Sequence, residues 1–350
     1  MMLRKSQTLL IRHWPHLHSG VSVHGIMFHV VIALLPACIF AVFHFGLSAF
    51  LVLSVAVLSC VLTEHCCCRF LNRETTIGDW SATITGLLYG MTLPPSLPLW
   101  MTCLGGIVAI GIGKFIFGGL GSNPFNPALV GRAFLQASFP VAMTSWPSMP
   151  TGMLETIAGS TWASPMSVPQ LPPAAIDGMS AATPLRHFQS TGSMVSSWDL
   201  FVGTVSGSVG ETSAMLILIG GLYLVARKAM NWRIPVAILL TVAVVSAGLH
   251  AIIPDRCPAP LFMLGSGGLM LGAVFMATDM VASPITQSGC VLYGIFIGAM
   301  VIILRVWGGM PEGVMYAILL GNAVSPLIDR SIQPQPFGMG RLSRLKDQSR

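Results

Sequence analysis

Ten apolar runs limit what this chain can fold into. They cover about 24–43, 47–63, 78–93, 97–114 and 126–144 and, after a polar stretch at about 146–208, about 210–228, 234–252, 261–279, 289–306 and 311–328. A helix needs about 20 mostly apolar residues to cross hydrocarbon, where only helices and closed barrels satisfy their backbone polar groups. The expected fold is all-α and polytopic, with about ten transmembrane helices in two five-helix halves. Composition agrees: 53% of residues are hydrophobic and 9% charged, against roughly 25% charged in soluble domains. The first apolar stretch starts near Val21 with no Ala-x-Ala cleavage site after it, so it reads as a retained helix rather than a signal peptide.

Basic residues orient such a chain, because they accumulate in cytoplasmic loops. With a cytoplasmic N-terminus, only Arg186, Arg256 and Arg305 of the 18 Lys and Arg fall outside, and Arg132 is unassigned. The other fourteen, Lys114 among them, fall inside, and Arg305 reads as snorkelling from the end of its helix. Both termini are then cytoplasmic and residues 146–208 periplasmic, in a bacterial inner membrane. The divisions are a lead-in (1–23), a first membrane half (24–145), the periplasmic loop (146–208), a second membrane half (209–329) and a basic tail (330–350).

Several functions are disfavoured. The net charge of +6 is spread along the edges of apolar runs, with no basic stripe interleaved with aromatics, which argues against nucleic acid. No G-x-G-x-x-G in a strand–helix setting, P-loop or Ser-His-Asp pattern is present. Glu64-His65-Cys66-Cys67-Cys68 suggests a metal site, yet adjacent cysteines on a helix point in different directions and at most two join one tetrahedral centre. His13, His16, His18, His24 and His29 fit an amphipathic lead-in at the membrane surface better than a ligand set. No metal site is expected.

Two interrupted segments stand out. Gly118, Gly119, Asn123 and Asn126 lie in a Gly/Asn/Pro-rich stretch between apolar runs, and Gly265–Gly268 precedes a run ending at Asp279. Broken apolar segments in matching halves point to a binding site at a repeat interface. Asp279 and Asp79 are the acidic residues near membrane depth to weigh for ion coupling; the plainer alternative is that each caps a helix end. On residues alone, the chain reads as a transporter or a respiratory subunit.

The polar loop narrows this. Asp177-Gly-Met-Ser180-Ala-Ala182-Thr183-Pro184-Leu185 resembles the flavinylation motif of the RnfD family and of its sister, the B subunit of sodium-translocating NADH:quinone reductase. Ala181 departs from the Gly common there. The resemblance continues through Thr85–Leu88, Leu93–Trp100, Phe117–Phe134, Gly207–Ser213, Gly267–Asp279, Pro311–Gly313 and Pro326–Arg330, or roughly residues 15–335. It implies FMN joined to Thr183 by a phosphoester bond, with Asp177, Ser180 and Ala182 recognised by a separate flavin transferase. It also implies a urea-transporter-like fold and a second, non-covalent flavin, riboflavin, deeper in the membrane. Gly118, Gly119, Asn123 and Asn126 are the candidates for that membrane flavin site or for an ion path, with Gly118–Pro127 and Gly267–Asp279 expected to line it. The implied setting is a six-subunit complex moving electrons between NADH and ferredoxin or a similar carrier, coupled to sodium or protons. The resemblance implies a translocase subunit that is not catalytically complete alone. An exposed Thr183 is expected, since a transferase must reach it. The competing readings are a channel or facilitator for a small polar solute and a structural membrane scaffold that positions redox partners without a cofactor of its own.

Overall fold

The computed structural model describes residues 22–73, 75–144, 183–191, 196–203, 207–210, 213–254, 256–308 and 312–334. Every described regular element is helical. The first half contains α1 (Val23–Phe45), α2 (Leu47–Phe70), α3 (Ser81–Met91), α4 (Leu99–Ile110), α5 (Pro127–Ser138) and α6 (Pro140–Thr144). Two short helices follow, α7 (Pro184–Thr191) and α8 (Ser197–Val202). The second half contains α9 (Ala214–Ala226), α10 (Arg233–Ile252), α11 (Pro260–Gly265), α12 (Leu269–Leu271), α13 (Gln287–Val306) and α14 (Val314–Ser331).

The helix starts follow from local chemistry. Side chains of Ser22, Asn126, Ser213 and Thr286 accept hydrogen bonds from the first free N–H groups of α1, α5, α9 and α13, as good N-caps do. Among the described residues four helices, α1, α2, α10 and α13, are long and apolar enough to cross a membrane. Their outward faces are apolar as well: Leu35, Ile39 and Phe43 on α1, Leu58 and Leu62 on α2, and Leu240 and Val244 on α10 are exposed. Stripes of large hydrophobics at four-residue spacing suit lipid rather than water. The molecule is an all-α, multi-pass membrane protein.

Each of the ten apolar runs contains helix, with differences that have physical causes. The 78–93 run is shorter than expected: a 3-10 turn (Ile77–Asp79) leads through Trp80, at φ 65°, into α3. The 126–144 run divides at Phe139-Pro140 into α5 and α6, because proline cannot continue the backbone ladder. The 261–279 run breaks at Ser266–Gly268, with Gly267 at φ 64°. Both α4 and α12 run on into a π turn, Gly111–Phe115 and Gly272–Met276. Such turns are rare and recur at functional sites.

The two halves are packed into one body. Gly220 on α9 lies so near α1 that an added Cβ would sit 2.4 Å from the Ala33 carbonyl oxygen. Gly86 on α3 does the same against α2, with 2.6 Å to the Val57 Cα. Small residues at such crossings let helices associate in lipid, where exclusion of water supplies no drive. Part of the expected polar loop belongs to this body: Leu185, Phe188 and Leu200 are core residues. The Gly210 and Val209 N–H groups donate to Met91 and Leu93 O, at 2.6 and 3.1 Å. Most of the rest of that loop, 145–182, lies outside the described residues.

Candidate functional site

Between the halves lies a cavity of about 100 Å³, room for several waters. Its walls are apolar: Ile26, Met27 and Val30 from α1, Ile84 and Leu88 from α3, and Phe275 from the second π turn. Its polar groups are few and convergent: Ser81, Thr85, Lys114, Asn123, Asn126, Thr278 and Asp279. An apolar cleft with a small polar set is the usual form of a cofactor or ligand site.

Each polar group has an identifiable support. Asn126 caps α5 through Oδ1, which accepts from Ala128 N at 3.0 Å, and its Nδ2 donates to Met276 O at 3.2 Å, bridging the halves. Asn123 donates to Phe125 O at 3.1 Å, which holds the turn before α5. Asp279 Oδ1 accepts from Val281 N at 3.1 Å. Lys114, on the first π turn, is 2% exposed. Its Nζ lies 2.8 Å from both oxygens of Glu64 on α2 and donates to Ser81 Oγ at 2.6 Å. Thr76 Oγ1 donates to the same carboxylate. One ammonium thus joins α2, the start of α3 and the cavity wall.

The structure therefore brings Asn123, Asn126 and Asp279 together and leaves the other sequence-selected membrane residues apart. Gly118 and Gly119 are at φ 113° and 105° in an exposed turn outside the cavity lining. The Gly118 carbonyl accepts from Arg73 Nη1 at 2.9 Å. Asp79 also lies off the cavity; its Oδ1 accepts from Ser81 N and Oγ at 2.9 and 2.6 Å, the capping role weighed as the plainer alternative.

Two cations differ from the sequence reading, and a third gains a place. The charge count places Lys114 with cytoplasmic loop residues, yet it is buried against Glu64, because its π turn directs the side chain inward. Arg305 does not snorkel. It is 2% exposed, and it donates through Nη1 to Met263 O and Nη2 to Ser266 O, at 2.6 and 2.8 Å. The break between α11 and α12 frees those carbonyls, and the guanidinium takes them. Arg132, unassigned from sequence, pairs with Glu312 at 3.4 Å. A lone cation inside an apolar run is the available signal in each case. His24 and His29 are likewise tied in: His24 Nδ1 is 2.5 Å from Gly78 O, and His29 lies 2.8 Å from both Tyr223 Oη and Arg227 Nη2.

Thr183 directly precedes α7, and its carbonyl accepts from His187 N at 2.8 Å. It is 1% exposed, and Oγ1 has no hydrogen-bond partner among the described residues. The expected exposure is therefore corrected: Leu185 and Phe188 draw this end of the loop into the core. Asp177, Ser180 and Ala182 lie outside the described residues. Nearby, Leu185 approaches Gly267, and the Phe188 and Phe262 ring centres are 6.1 Å apart. The Thr183 segment thus rests on the same helix break that Arg305 closes.

Fold and cavity define a class: multi-pass helical membrane proteins with a polar-edged apolar site between two halves. The model of the NQR2, RnfD, RnfE family matches residues 10–338, and the chain belongs to that family. It is similar to the D subunit of the proton-translocating ferredoxin:NAD(+) oxidoreductase complex of Clostridium ljungdahlii, 41% identical over 96% of this chain and 98% of that one. Similarity to the D subunit of the Na(+)-translocating ferredoxin:NAD(+) oxidoreductase complex of Acetobacterium woodii is 40%, over 96% and 97%. For the D subunit of the ion-translocating oxidoreductase complex of Stutzerimonas stutzeri it is 41%, over 91% and 92%.

Proposed function

We infer that this chain is a membrane subunit of an ion-translocating electron-transfer complex, and that it carries flavin. Family membership over almost the whole chain supports the first part. The observation that carries the second is the Asp177–Leu185 motif, whose Thr183 hydroxyl is uncommitted to any described partner. A buried hydroxyl without a partner costs about 1–3 kcal/mol, and esterification removes that donor. Attachment requires Thr183 to be uncovered while a transferase acts, so FMN is added before this segment packs or during an opening of it.

The cavity suits a flat heterocycle such as the ring of riboflavin. Apolar side chains form its faces, while Asn123 and Asn126 offer edge contacts. A bound flavin would supply one- and two-electron chemistry there. The protein's own part is to hold the ring and exclude bulk water. Asp279 is the ion-coupling residue in this reading. Asp79 has the weaker case, because its carboxylate already caps α3.

In this reading the ten apolar runs are ten membrane spans, five and five, in a urea-transporter-like arrangement with cytoplasmic termini and Thr183 on the periplasmic side of the inner membrane. The other subunits pass electrons between NADH and a ferredoxin-like carrier. Relatives named for proton and for sodium translocation are equally similar, at 41% and 40% identity, so overall similarity does not select the ion.

The test is in-gel flavin fluorescence with peptide mass, on protein co-expressed with a flavin transferase. A fluorescent band and an FMN mass on the Thr183 peptide are expected, both lost in Thr183→Val. An unmodified peptide despite active transferase refutes covalent flavin and favours the solute-channel alternative. Asp279→Asn should retain FMN and lose at least tenfold in coupled ion uptake; wild-type uptake would remove Asp279 from the ion path.

A further inference from the structure

A second, smaller void lies against the same π turn, Gly272–Met276, that lines the cavity. Neighbouring residues of one π turn face the two spaces, Phe275 the cavity and Met276 the void. The space open to water centres here is about 10 Å³, close to what one water needs. Thr92, Arg132, Ser208 and Glu312 supply its polar lining.

Arg132 and Glu312 come from different halves, Arg132 from α5 and Glu312 from the turn before α14. Their ion pair is long, 3.4 Å, against about 2.7–2.9 Å for a tight charge-assisted bond. Arg132 is 6% exposed, and its Nε has no partner among the described residues. A buried donor beside a void the size of a water calls for an acceptor in that void. Thr92 Oγ1 spends its proton on Tyr89 O at 2.7 Å, which leaves its lone pairs to accept from a water.

We propose that Glu312, paired at long range with Arg132 beside this single-water void, is a proton-binding station on the ion path between the two halves. This rests on the chain's place in an ion-translocating complex, and not on its carrying flavin. The water accepts from Arg132 Nε and stands next to the carboxylate. A hydronium there protonates Glu312, giving water and a neutral carboxyl group, and the reverse step releases the proton. Arg132 keeps its own protons throughout; it is a positioning residue. The size of the void favours a proton over sodium: about 10 Å³ leaves no room for a cation together with further oxygens to coordinate it. Arg132 also lies five residues beyond Pro127, which lines the cavity, or about 7.5 Å along α5. Charge arriving in the cavity is thus felt at the pair.

The experiment uses the assembled complex in liposomes, driven by NADH, with a lumenal pH dye and radiolabelled sodium uptake read in parallel. The variants are Glu312→Gln and the double change Arg132→Met/Glu312→Met, which removes both charges so that neither is left buried alone. The expected result is electron-transfer turnover within about threefold of wild type and proton uptake per electron reduced at least tenfold. A carboxyl band in the redox-difference infrared spectrum, shifted by deuterium, should be present in wild type and missing in Glu312→Gln. Wild-type proton uptake in the double variant overturns the proposal and makes the pair a structural tie. Wild-type complex that moves sodium with no proton uptake overturns it as well. A Thr183 peptide without FMN would defeat the flavin reading and leave this test intact, since neither variant touches that site.

Discussion

Each half buries a cation, and the two are satisfied by different chemistry. In the first half, Glu64 and Lys114 form a closed ion pair, with Ser81 and Thr76 taking the remaining hydrogen bonds. In the second half, the Arg305 guanidinium binds the Met263 and Ser266 carbonyls freed where α11 stops. Breaking a helix in a low-dielectric interior exposes groups that cost free energy unless paired. A charge pair and a charge on peptide dipoles are two solutions, and they fail differently. The pair can be replaced as a unit by apolar residues, whereas the freed carbonyls stay wherever the break stays.

The largest expected effect tests the first solution. Lys114→Met or Glu64→Leu alone should cost about 3–5 kcal/mol by leaving one charge buried, while the double change should recover most of it. Thermal unfolding in detergent measures both; equal losses in single and double variants would erase the difference between the halves. Arg305→Leu comes next, at about 3 kcal/mol for two charge-assisted bonds lost. Arg305→Lys should restore less than half, because an ammonium lacks the planar fork that reaches both carbonyls. Full rescue by Lys would make charge alone sufficient. The smallest effect is at the join between halves. Asn126→Ala should cost about 1–2 kcal/mol through the lost cap and the lost bond to Met276 O. Asn126→Asp should restore the cap but not the bridge, and recovery of full stability by Asp would show that the bridge adds nothing.

Much of this architecture can be read from periodicity and composition. The ten apolar runs anticipate where helix lies: α1, α10 and α13 match their runs closely, while α2 continues seven residues past the end of its run at 63. Asn123, Asn126 and Asp279 stand out in sequence as polar residues at Gly/Pro-rich breaks, and they do line one cavity. The misses share one cause. Place along the chain makes Lys114, Arg305 and Arg132 a loop charge, a helix-end charge and an unassigned one. Which way each side chain turns depends on the π turn at Gly111–Phe115, on the break at Ser266–Gly268 and on the approach of α14 to α5. Polar neighbours in sequence point Thr183 to the surface. Its burial depends on Leu185 and Phe188 finding a partner in α11.

The sequence by itself determined that this chain is a helical membrane protein, where most helices lie and which family it belongs to. Those follow from run length, capping residues and local motifs, all short-range properties. Only the tertiary structure decided that Glu64 neutralises Lys114 and that Arg132 meets Glu312 across the join. Those pairings span 50 to 180 positions in the chain. Buried polar groups must find partners wherever the packed helices bring them, and local sequence carries no record of that distance.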